Sequence, residues 1–356
     1  MRPFGRNFLP GPTDVHPEVL EATLKPYYFG FAEEMQALMK SMQPGLQRLF
    51  GTSETVVISV SAASGMMEAA VRNGVGHRVL CVCGGYFGEL FARIAEGCGK
   101  EVLRLNLHPG TVLEPDQLAE FLEGPKVDAV TLVHSESSTG ALSPLPELAR
   151  VIRERSDALV LVDGVTSIGA MPIEMDSWGI DFMLTGSQKA LALPPGIAFG
   201  ACSPRFFERA QGLHDRGFYL SMTHLVGAAK KHFPLTTPAL PVFHALARQL
   251  ERIEASGGLG PRFARHVEMS RMAVEWAGSH GFPVLAREGR RSPTVTAIDV
   301  SSRGKAGDMV RALEQKNWLI ATGLVPMVDR LIRIGHMGDL EPVHLKALLA
   351  ELTAVL

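Results

Sequence analysis

The sequence contains little cysteine. Its 356 residues include four cysteines, Cys81, Cys83, Cys98 and Cys202, which are too few and too scattered for a disulfide framework. Cys81 and Cys83 lie in an apolar run typical of a strand, and no second pair of ligands follows at the spacing that zinc sites use. We therefore interpret all four as buried thiols and expect no metal site.

The sequence also lacks an excess of charge of one sign and any long apolar run. Charged residues make up 20% of the chain and the formal net charge is −2, so neither nucleic acid nor an anionic membrane is indicated as a partner. No apolar run approaches the roughly 20 residues that cross a bilayer. The first residues, Met1 to Gly5, form no apolar signal core, and we expect a cytoplasmic protein.

Over the first two thirds of the chain, short apolar runs alternate with amphipathic helical stretches. Strands are predicted at Thr55–Val60, Arg78–Val82, Val102–Leu105, Ala129–His134, Leu159–Val162, Phe182–Thr185 and Ile197–Ala201. Helices are predicted at Glu33–Phe50, Gly65–Arg72, Phe87–Glu96, Pro115–Leu122 and Leu145–Arg153. Because the strand-like runs are apolar throughout, we expect an α/β fold whose mostly parallel central sheet is covered by helices on both faces.

The pattern changes after about residue 235. Further segments are predicted as helices at Pro241–Ala255, Arg262–His280 and Ala306–Gln315, and as strands at Val295–Val300 and Leu331–Ile334. This mixture indicates a smaller α+β domain at the C-terminal end. We expect an N-terminal arm over residues 1–20, a large domain over 21–245 and a small domain over 246–356.

Lys189 follows one of the predicted strands, in the stretch Thr185-Gly186-Ser187-Gln188-Lys189-Ala190-Leu191. Open α/β sheets form their ligand crevices at the carboxyl ends of strands. The neighbours of Lys189 are small or apolar, and a lysine in such surroundings deprotonates easily, as a Schiff-base nucleophile must. Taken alone, the same pattern also describes an ordinary surface lysine.

Asp163 ends the preceding predicted strand, in Leu161-Val162-Asp163-Gly164. Pyridoxal 5′-phosphate (PLP) chemistry needs a carboxylate against the pyridine nitrogen, so that the protonated ring draws electrons from the substrate Cα. An aspartate and a lysine at the ends of adjacent strands suit these two roles. An isolated aspartate here could equally cap a helix.

Two further turns follow predicted strands. Small residues around Ser64-Gly65 lead into a helix and would expose backbone N–H groups to a phosphate, although the same residues are common helix caps. Gly84-Gly85-Tyr86-Phe87-Gly88 places an aromatic ring where it could stack on a flat cofactor or simply lie in the interior.

In combination, these motifs resemble the class V aminotransferases of PLP fold type I (aspartate aminotransferase-like), especially the alanine–glyoxylate and serine–pyruvate aminotransferase group. The resemblance extends over nearly the whole chain. Its motifs are Pro10-Gly11-Pro12, Ser64-Gly65, Glu68-Ala69-Ala70, Gly85-Tyr86-Phe87-Gly88, His134-Ser135-Glu136-Ser137-Ser138-Thr139-Gly140, Val162-Asp163, Met175 to Asp181, Gly186 to Leu191, and Arg333-Ile334-Gly335-His336-Met337-Gly338.

The resemblance implies a role for each matching residue. Lys189 would carry PLP as a Schiff base and move the proton, and Asp163 would pair with the ring nitrogen. Phe87 and Val165 would hold the two faces of the ring. Phosphate contacts would come from Ser64, Gly65 and Gln188, with Met66 also at the cofactor. Ser138 would lie beside the ring hydroxyl or the substrate, and Gly11 and Arg333 would bind the substrate, Arg333 through its α-carboxylate.

The resemblance also implies a homodimer with shared active sites. Leu235-Thr236-Thr237-Pro238 matches a segment that reaches the phosphate of the neighbouring subunit, so Thr236 and Thr237 would act there in trans. The aromatic run Tyr27–Phe31 departs from the family pattern at positions that border the substrate and the partner. This departure indicates an altered or more apolar pocket.

The predicted function is PLP-dependent transfer of an amino group from a small amino acid, of alanine or serine type, to a 2-oxo acid such as glyoxylate or pyruvate, by a ping-pong mechanism. The alternatives are another PLP-dependent lyase, such as a decarboxylase or aldolase, or a transaminase of a phosphonate or phosphoserine. A cysteine desulfurase is disfavoured because no cysteine follows Cys202. A non-catalytic PLP-fold protein is disfavoured by the set Lys189, Asp163 and Arg333, and a nicotinamide dehydrogenase by the lack of a G-x-G-x-x-G motif after the first strand.

Overall fold

The computed structural model describes residues 3–30 and 32–356. Its strands are β1 (Val57–Ser59), β2 (Arg78–Cys83), β3 (Glu101–Asn106), β4 (Ala129–Val133), β5 (Ser135–Glu136), β6 (Ala141–Leu142), β7 (Leu159–Asp163), β8 (Phe182–Gly186), β9 (Ala198–Cys202), β10 (Val295–Asp299), β11 (Ala321–Thr322) and β12 (Leu331–Gly335).

The helices are α1 (Pro17–Ala22), α2 (Glu33–Phe50), α3 (Ala63–Gly74), α4 (Tyr86–Gly97), α5 (Pro115–Leu122), α6 (Leu145–Arg155), α7 (Pro204–Gly212), α8 (Met222–Ala229), α9 (Leu240–Ala255), α10 (Leu259–Ser279), α11 (Ala306–Gln315) and α12 (Pro342–Thr353). They alternate with strands from β1 to β4, and four of them, α7 to α10, follow one another between β9 and β10. No helix of the described residues is both long enough and apolar enough to span a membrane.

The main sheet has seven strands in the order β1-β9-β8-β7-β4-β2-β3. Strand β9 runs antiparallel to both of its neighbours, and the remaining pairs are parallel. Strands β1, β2, β4, β7 and β8 therefore all point the same way, and their carboxyl ends meet at one edge. This edge is where such sheets bind ligands.

The strands of the main sheet are apolar throughout because helices cover both faces. Along β7, Leu159 and Leu161 pack in one core with residues of α3 and α7, whereas Val160 and Val162 pack in the other with residues of α2 and α6. Alternate side chains thus enter opposite cores, and every position of the strand is buried. The mostly parallel sheet predicted from the sequence is confirmed.

A second, antiparallel sheet of order β10-β12-β11 lies in the C-terminal third. Its core includes Ile332 and Ile334 together with Trp276 of α10. Phe8 of the N-terminal segment is fully buried in that same core, and its carbonyl accepts a hydrogen bond from the N–H of Gly335. The start of the chain is thus bound to the C-terminal sheet. The domain boundaries after residues 20 and 245 stay a prediction, and residue 245 lies inside α9.

Candidate active site

Most of the predicted site residues collect at the carboxyl edge of the main sheet. Ser64 follows β1, Phe87 follows β2, Ser138 follows β4, Asp163 ends β7 and Lys189 follows β8. Because these five strands point the same way, segments far apart in the sequence meet here. Arg333 comes from β12 of the second sheet.

Lys189 is enclosed by the N-terminal segment. Its Nζ donates a hydrogen bond to the carbonyl of Pro10. Gly11 packs directly on the lysine, since a Cβ there would lie 2.4 Å from Lys189 Cδ and 2.6 Å from Nζ. Burial lowers the pKa of Lys189 to about 8; the nearby guanidinium of Arg333 also lowers it, and the Asp163 carboxylate opposes the change. About a tenth of the amine is therefore neutral at pH 7, far more than for an exposed lysine.

Asp163 is a buried carboxylate with few partners. Its Oδ1 accepts a hydrogen bond of 2.8 Å from the N–H of Val165, and no described residue donates to Oδ2. Burial raises the pKa of Asp163 to about 7; the Glu136 carboxylate acts in the same direction, and Lys189 opposes it. A cation or an N–H donor placed against Oδ2 would therefore stabilise the ionised form.

Glu136 belongs to this site, although the sequence reasoning gave it no role. Its Oε2 accepts hydrogen bonds from the N–H groups of Phe87 (3.0 Å) and Gly88 (3.2 Å) at the start of α4. Its Oε1 accepts bonds from the N–H (3.0 Å) and the hydroxyl (2.5 Å) of Ser138. Glu136 therefore joins the segment after β4 to the helix that carries Phe87. Its presence in the motif around Ser138 was a signal, but its targets lie 48 and 49 residues away in the sequence.

Ser138 is held within the protein at this junction. Besides donating to Glu136, its hydroxyl accepts a 3.0 Å hydrogen bond from the N–H of Tyr86. A Cβ on Gly85 would lie 2.4 Å from this hydroxyl oxygen, so only glycine lets the two segments come this close. The half-buried ring of Phe87 lies in the first turn of α4, and half-buried Val165 begins the turn after Asp163.

The start of α3 has the features of an anion site. No side chain caps the helix at Ala62, and its first turn contains no acidic residue. Ser64 is exposed and Gly65 is half-buried, whereas the side chain of Met66 is fully buried in the core, so only the backbone of Met66 could reach a ligand.

Gln188 lies beside this helix start. A Cβ on Gly186 would meet Gln188 Oε1 at 2.8 Å and Ala63 Cβ at 3.3 Å. The N–H of Gly65 already donates to the carbonyl of Ala62 at 2.9 Å, so the amide of Gln188 and the N–H groups of Ala63 and Ser64 are the donors that could serve one phosphate.

Arg333 is a buried arginine without a carboxylate partner. Its Nε donates to the carbonyl of Thr322 at 2.8 Å, and one terminal nitrogen donates to the carbonyl of Ser137 at 3.0 Å. It forms no ion pair with a described residue. Burial lowers the pKa of Arg333, although the Glu136 carboxylate opposes this. An anion arriving from solution would complete its coordination.

Thr236 and Thr237 do not join the cluster within one chain. Thr236 is half-buried in a crevice lined by Ser59 and Val60, and Thr237 is exposed. In the aromatic run, Tyr27 and Phe29 are 78% and 73% exposed. Tyr28 meets His244 edge to face, Gly30 packs against Pro238, and Phe31 lies outside the described residues.

The residues present fit PLP. Lys189 supplies an amine with a lowered pKa, Asp163 an unpaired carboxylate oxygen, and the start of α3 with Gln188 a set of phosphate donors. Phe87 and Val165 supply apolar surface for a ring. No group of three or more His, Cys, Asp or Glu side chains in the described part of the chain could hold a metal ion.

Comparison with known proteins agrees with this geometry. The model of the family described as Aminotransferase class-V matches residues 7–327. A Synechococcus protein named soluble hydrogenase, small subunit, is 32% identical and covers 98% of this chain and 92% of its own length. The serine–glyoxylate aminotransferase of Methylorubrum extorquens is 29% identical, with 97% and 90% covered. The crystal structure of an alanine–glyoxylate aminotransferase from a Nostoc species superposes with a TM-score of 0.94 at 28% identity, covering 100% of this chain and 96% of that one.

Proposed function

The chain belongs to the class-V aminotransferase family, and from this we propose that it moves the amino group of a small amino acid, of alanine or serine type, to a 2-oxo acid such as glyoxylate or pyruvate in a ping-pong cycle. It is a PLP-dependent transaminase of fold type I. The family, fold and cofactor predicted from the sequence are therefore confirmed. The individual site residues, the substrates and the assembly are our proposals.

The cofactor would be held by residues of the carboxyl edge. Lys189 would hold it covalently through its ε-amine, and Asp163 would neutralise the positive ring nitrogen. Phe87 and Val165 would contact the ring, and Ser138 would lie beside it. Ser64, Gly65, the backbone of Met66 and the side chain of Gln188 would bind the phosphate. The observation that carries this proposal is the buried Lys189–Asp163 pair, in which burial moves both pKa values toward neutrality.

The chemistry then depends on a movable proton. When bound, PLP supplies an electron sink for the charge that develops at the substrate Cα. Once the amino donor has displaced it, the ε-amine of Lys189 would accept the proton that leaves the substrate Cα. The same amine would then donate this proton to a second carbon. A pKa of about 8 suits a group that must accept and donate protons near neutral pH. Asp163 would keep its negative charge because a ring cation compensates its burial.

Arg333 favours a substrate with an α-carboxylate. Its unpaired guanidinium offers the planar donor pair that binds a carboxylate in bidentate fashion. Any side chain at position 11 would collide with Lys189, so glycine there lets the N-terminal segment pack against the lysine. The names of the serine–glyoxylate and alanine–glyoxylate relatives support small donors and a 2-oxo acid acceptor.

The test is a set of half-reactions. The purified, PLP-loaded protein is mixed with alanine, serine, aspartate or phosphoserine, and loss of the long-wavelength cofactor absorbance is followed; glyoxylate or pyruvate should then restore it. We expect the fastest loss with alanine or serine. Lys189→Ala should fold and abolish turnover, and borohydride should trap the proposed Schiff base on Lys189 in the wild type only. Near wild-type turnover of that variant would remove Lys189 from the mechanism.

We further propose a homodimer in which Thr236 and Thr237 contact the phosphate of the neighbouring subunit. The exposed rings of Tyr27 and Phe29, close to the Thr236–Pro238 segment, support an interface at this surface. Sedimentation would report the assembly. Mixing Lys189→Ala with Thr236→Ala subunits should restore sites that carry neither change if the threonine acts in trans.

The alternative activities have less support. A desulfurase needs a reactive thiol, but burial raises the pKa of Cys202 and Cys83 to about 12 and of Cys81 to about 11, and it also raises the pKa of the half-buried Cys98. The same observation gives no support to the activity in the name of the Synechococcus relative. A phosphoserine or phosphonate substrate would need positive side chains for its second anionic group, and Arg333 is the one cation that we assign to substrate binding among the described residues. A cytoplasmic location remains a prediction from the sequence.

A further inference from the structure

One buried cluster lies behind the segments that carry Lys189, Asp163 and Arg333. It consists of Arg262 in the first turns of α10, Gln249 of α9 and Asp339 after β12, and we call it the clamp. The exposed fraction of these residues is small: 5% for Arg262 and 1% for Gln249. None of the three belongs to the proposed binding residues.

Arg262 binds all three segments at once. Its Nε donates to the carbonyl of Gly169 at 3.1 Å, which lies in the turn after Asp163. One terminal nitrogen donates to the carbonyl of Ala190, the residue next to Lys189, and the other pairs with the Asp339 carboxylate. Asp339 itself lies six residues after Arg333 in the sequence. A single guanidinium thus links the segments that contain Lys189, Asp163 and Arg333.

Gln249 completes the clamp. Its amide nitrogen donates to the carbonyl of Leu191 at 2.8 Å and to both Asp339 oxygens at 3.1 Å. Burial tends to raise the pKa of Asp339, but Arg262 and Gln249 outweigh it, so the pKa is lowered and the clamp carboxylate stays ionised. We call the segment after β8 that contains Lys189 the lysine loop. Its successive carbonyls at Ala190 and Leu191 therefore both accept hydrogen bonds from the clamp.

The lysine loop needs such support. Ala192 has a φ of +51°, a left-handed conformation that is unfavourable for a residue with a Cβ. Its N–H bonds back to the carbonyl of Lys189 at 2.8 Å, which closes a tight turn directly behind the lysine. A loop with this strain relaxes unless neighbouring groups hold it, and relaxation would move Lys189.

We infer that Arg262, acting with Gln249 and Asp339, is a positioning residue for Lys189. The inference rests on the proposed role of Lys189, but the three clamp residues are not among the proposed substrate-binding and cofactor-binding residues. Arg262 is absent from the groups that shift the pKa of Lys189, so it acts through the geometry of the loop. Misplacement of a reacting group by about 1 Å can lower a rate by about 100-fold.

The test compares Arg262→Lys with Arg205→Lys in the PLP-loaded enzyme. Arg205 is a matched control because it also pairs with a buried aspartate, Asp181, and donates to a backbone carbonyl, that of Ala158 at 2.9 Å. These contacts lie at the amino ends of β7 and β8, the opposite edge of the same strands. In both variants a lysine keeps the charge but cannot reach every acceptor that arginine reaches.

We expect Arg262→Lys to lower kcat about tenfold or more with little change in KM for the amino donor. The pH midpoint of the cofactor absorbance should shift. Hydrogen exchange should become about tenfold faster in residues 188–193, as expected for a lost hydrogen bond. Arg205→Lys should leave all three quantities near wild type. If Arg262→Lys does not fold, Gln249→Met should give smaller changes in the same direction.

Equal effects of Arg262→Lys and Arg205→Lys would overturn the inference, and so would faster exchange in residues 188–193 with unchanged kcat and pH midpoint. Hydrogen exchange does not depend on turnover. Residual turnover of Lys189→Ala would therefore contradict the proposed function separately, whatever the exchange of the clamp variants shows.

Discussion

The site and the clamp each contain a buried arginine, and the two arginines are held differently. Arg333 and Arg262 are 7% and 5% exposed. Arg262 pairs with Asp339 and uses all of its nitrogens, whereas Arg333 binds two carbonyls and pairs with no described carboxylate. A buried charge is tolerated where it is paired and hydrogen-bonded. The guanidinium of Arg262 is thus fully bonded within the protein, whereas that of Arg333 can still bind a ligand carboxylate.

Two buried aspartates repeat this contrast. The pKa of Asp163 is raised to about 7, chiefly by burial. The pKa of Asp339 is lowered, because Arg262 and Gln249 outweigh the effect of burial. The same residue type is therefore stably ionised in the clamp, whereas in the site its ionised form requires a compensating positive charge. The clamp, which positions Lys189, has its charged groups paired within the protein. The site, which binds ligands, does not.

The largest expected effect is on stability. Arg262→Met removes the ion-pair partner of the Asp339 carboxylate, which then keeps only its hydrogen bonds from Gln249, and we expect the free energy of unfolding to fall by about 3–5 kcal/mol. Arg333→Met leaves only carbonyls unpaired and also removes an unpaired charge, so the loss should be about 1–2 kcal/mol. Urea unfolding of the two variants measures the difference. Adding Asp339→Leu to Arg262→Met should recover part of the loss; similar losses for the two single variants would contradict the comparison.

The next effect is on catalysis, where we expect a substitution of Arg333 to cost more than one of Arg262. Arg333→Lys keeps a positive charge but loses the planar donor pair, and we expect kcat/KM for a 2-oxo acid to fall by about 100-fold, equivalent to about 2.7 kcal/mol. Cofactor affinity and urea unfolding should hardly change. Steady-state kinetics with glyoxylate and pyruvate provide the measurement. Unchanged kinetics would remove Arg333 from substrate binding.

The meeting of Lys189 and Asp163 in the candidate active site could be predicted from the sequence. Lys189 and Asp163 each follow an apolar run, and the carboxyl ends of parallel strands converge wherever such a sheet forms. Local patterns such as these need no knowledge of distant contacts. Helix α2 begins and ends at the predicted residues Glu33 and Phe50 because its apolar periodicity and the glycine that follows are both local signals.

The clamp could not be predicted in this way. Arg262 in α10 reads as one charged residue among several in an amphipathic helix, and its partners lie 72, 77 and 93 residues away in the sequence. Glu136 bonds to the start of α4 across a similar gap. The resemblance implies that Thr236 and Thr237 act in a neighbouring subunit, and such contacts depend on how two chains pack. Long-range polar contacts follow from the packing of complete elements, and no local pattern encodes them.

A change of pH should separate the two aspartates by sign. In cofactor-free protein, Asp163 has a folded pKa near 7 against 3.8 for the free group, so wild-type stability falls as the pH rises from about 4 to 7. Asp163→Asn avoids this loss and should be more stable than wild type above pH 7. Asp339 has a lowered pKa, so its contribution is present above about pH 4 and disappears on acidification. Asp339→Asn should therefore be less stable at neutral pH, and the gap should close below about pH 4; unfolding curves at pH 2.5, 4, 6 and 8 test both signs.

The smallest effect is expected at Glu136, whose surroundings are intermediate between those of Asp163 and Asp339. It has four hydrogen-bond donors but no ion-pair partner, and burial raises its pKa. In Glu136→Gln, the amide oxygen can still accept from Phe87 and Gly88, and the amide nitrogen can donate to the Ser138 hydroxyl. Only the bond from the Ser138 N–H is lost, because two donors then face each other.

We expect a destabilisation of about 1–2 kcal/mol and a small decrease in cofactor affinity for Glu136→Gln. Urea unfolding and titration of the apoenzyme with PLP measure these two quantities. Glu136→Ala, which also frees the start of α4 and the ring of Phe87, should weaken PLP binding much more. If Glu136→Gln were as damaging as Glu136→Ala, the negative charge of Glu136, rather than its hydrogen bonds, would be what the site requires, and Glu136 would then belong with the ionised Asp339.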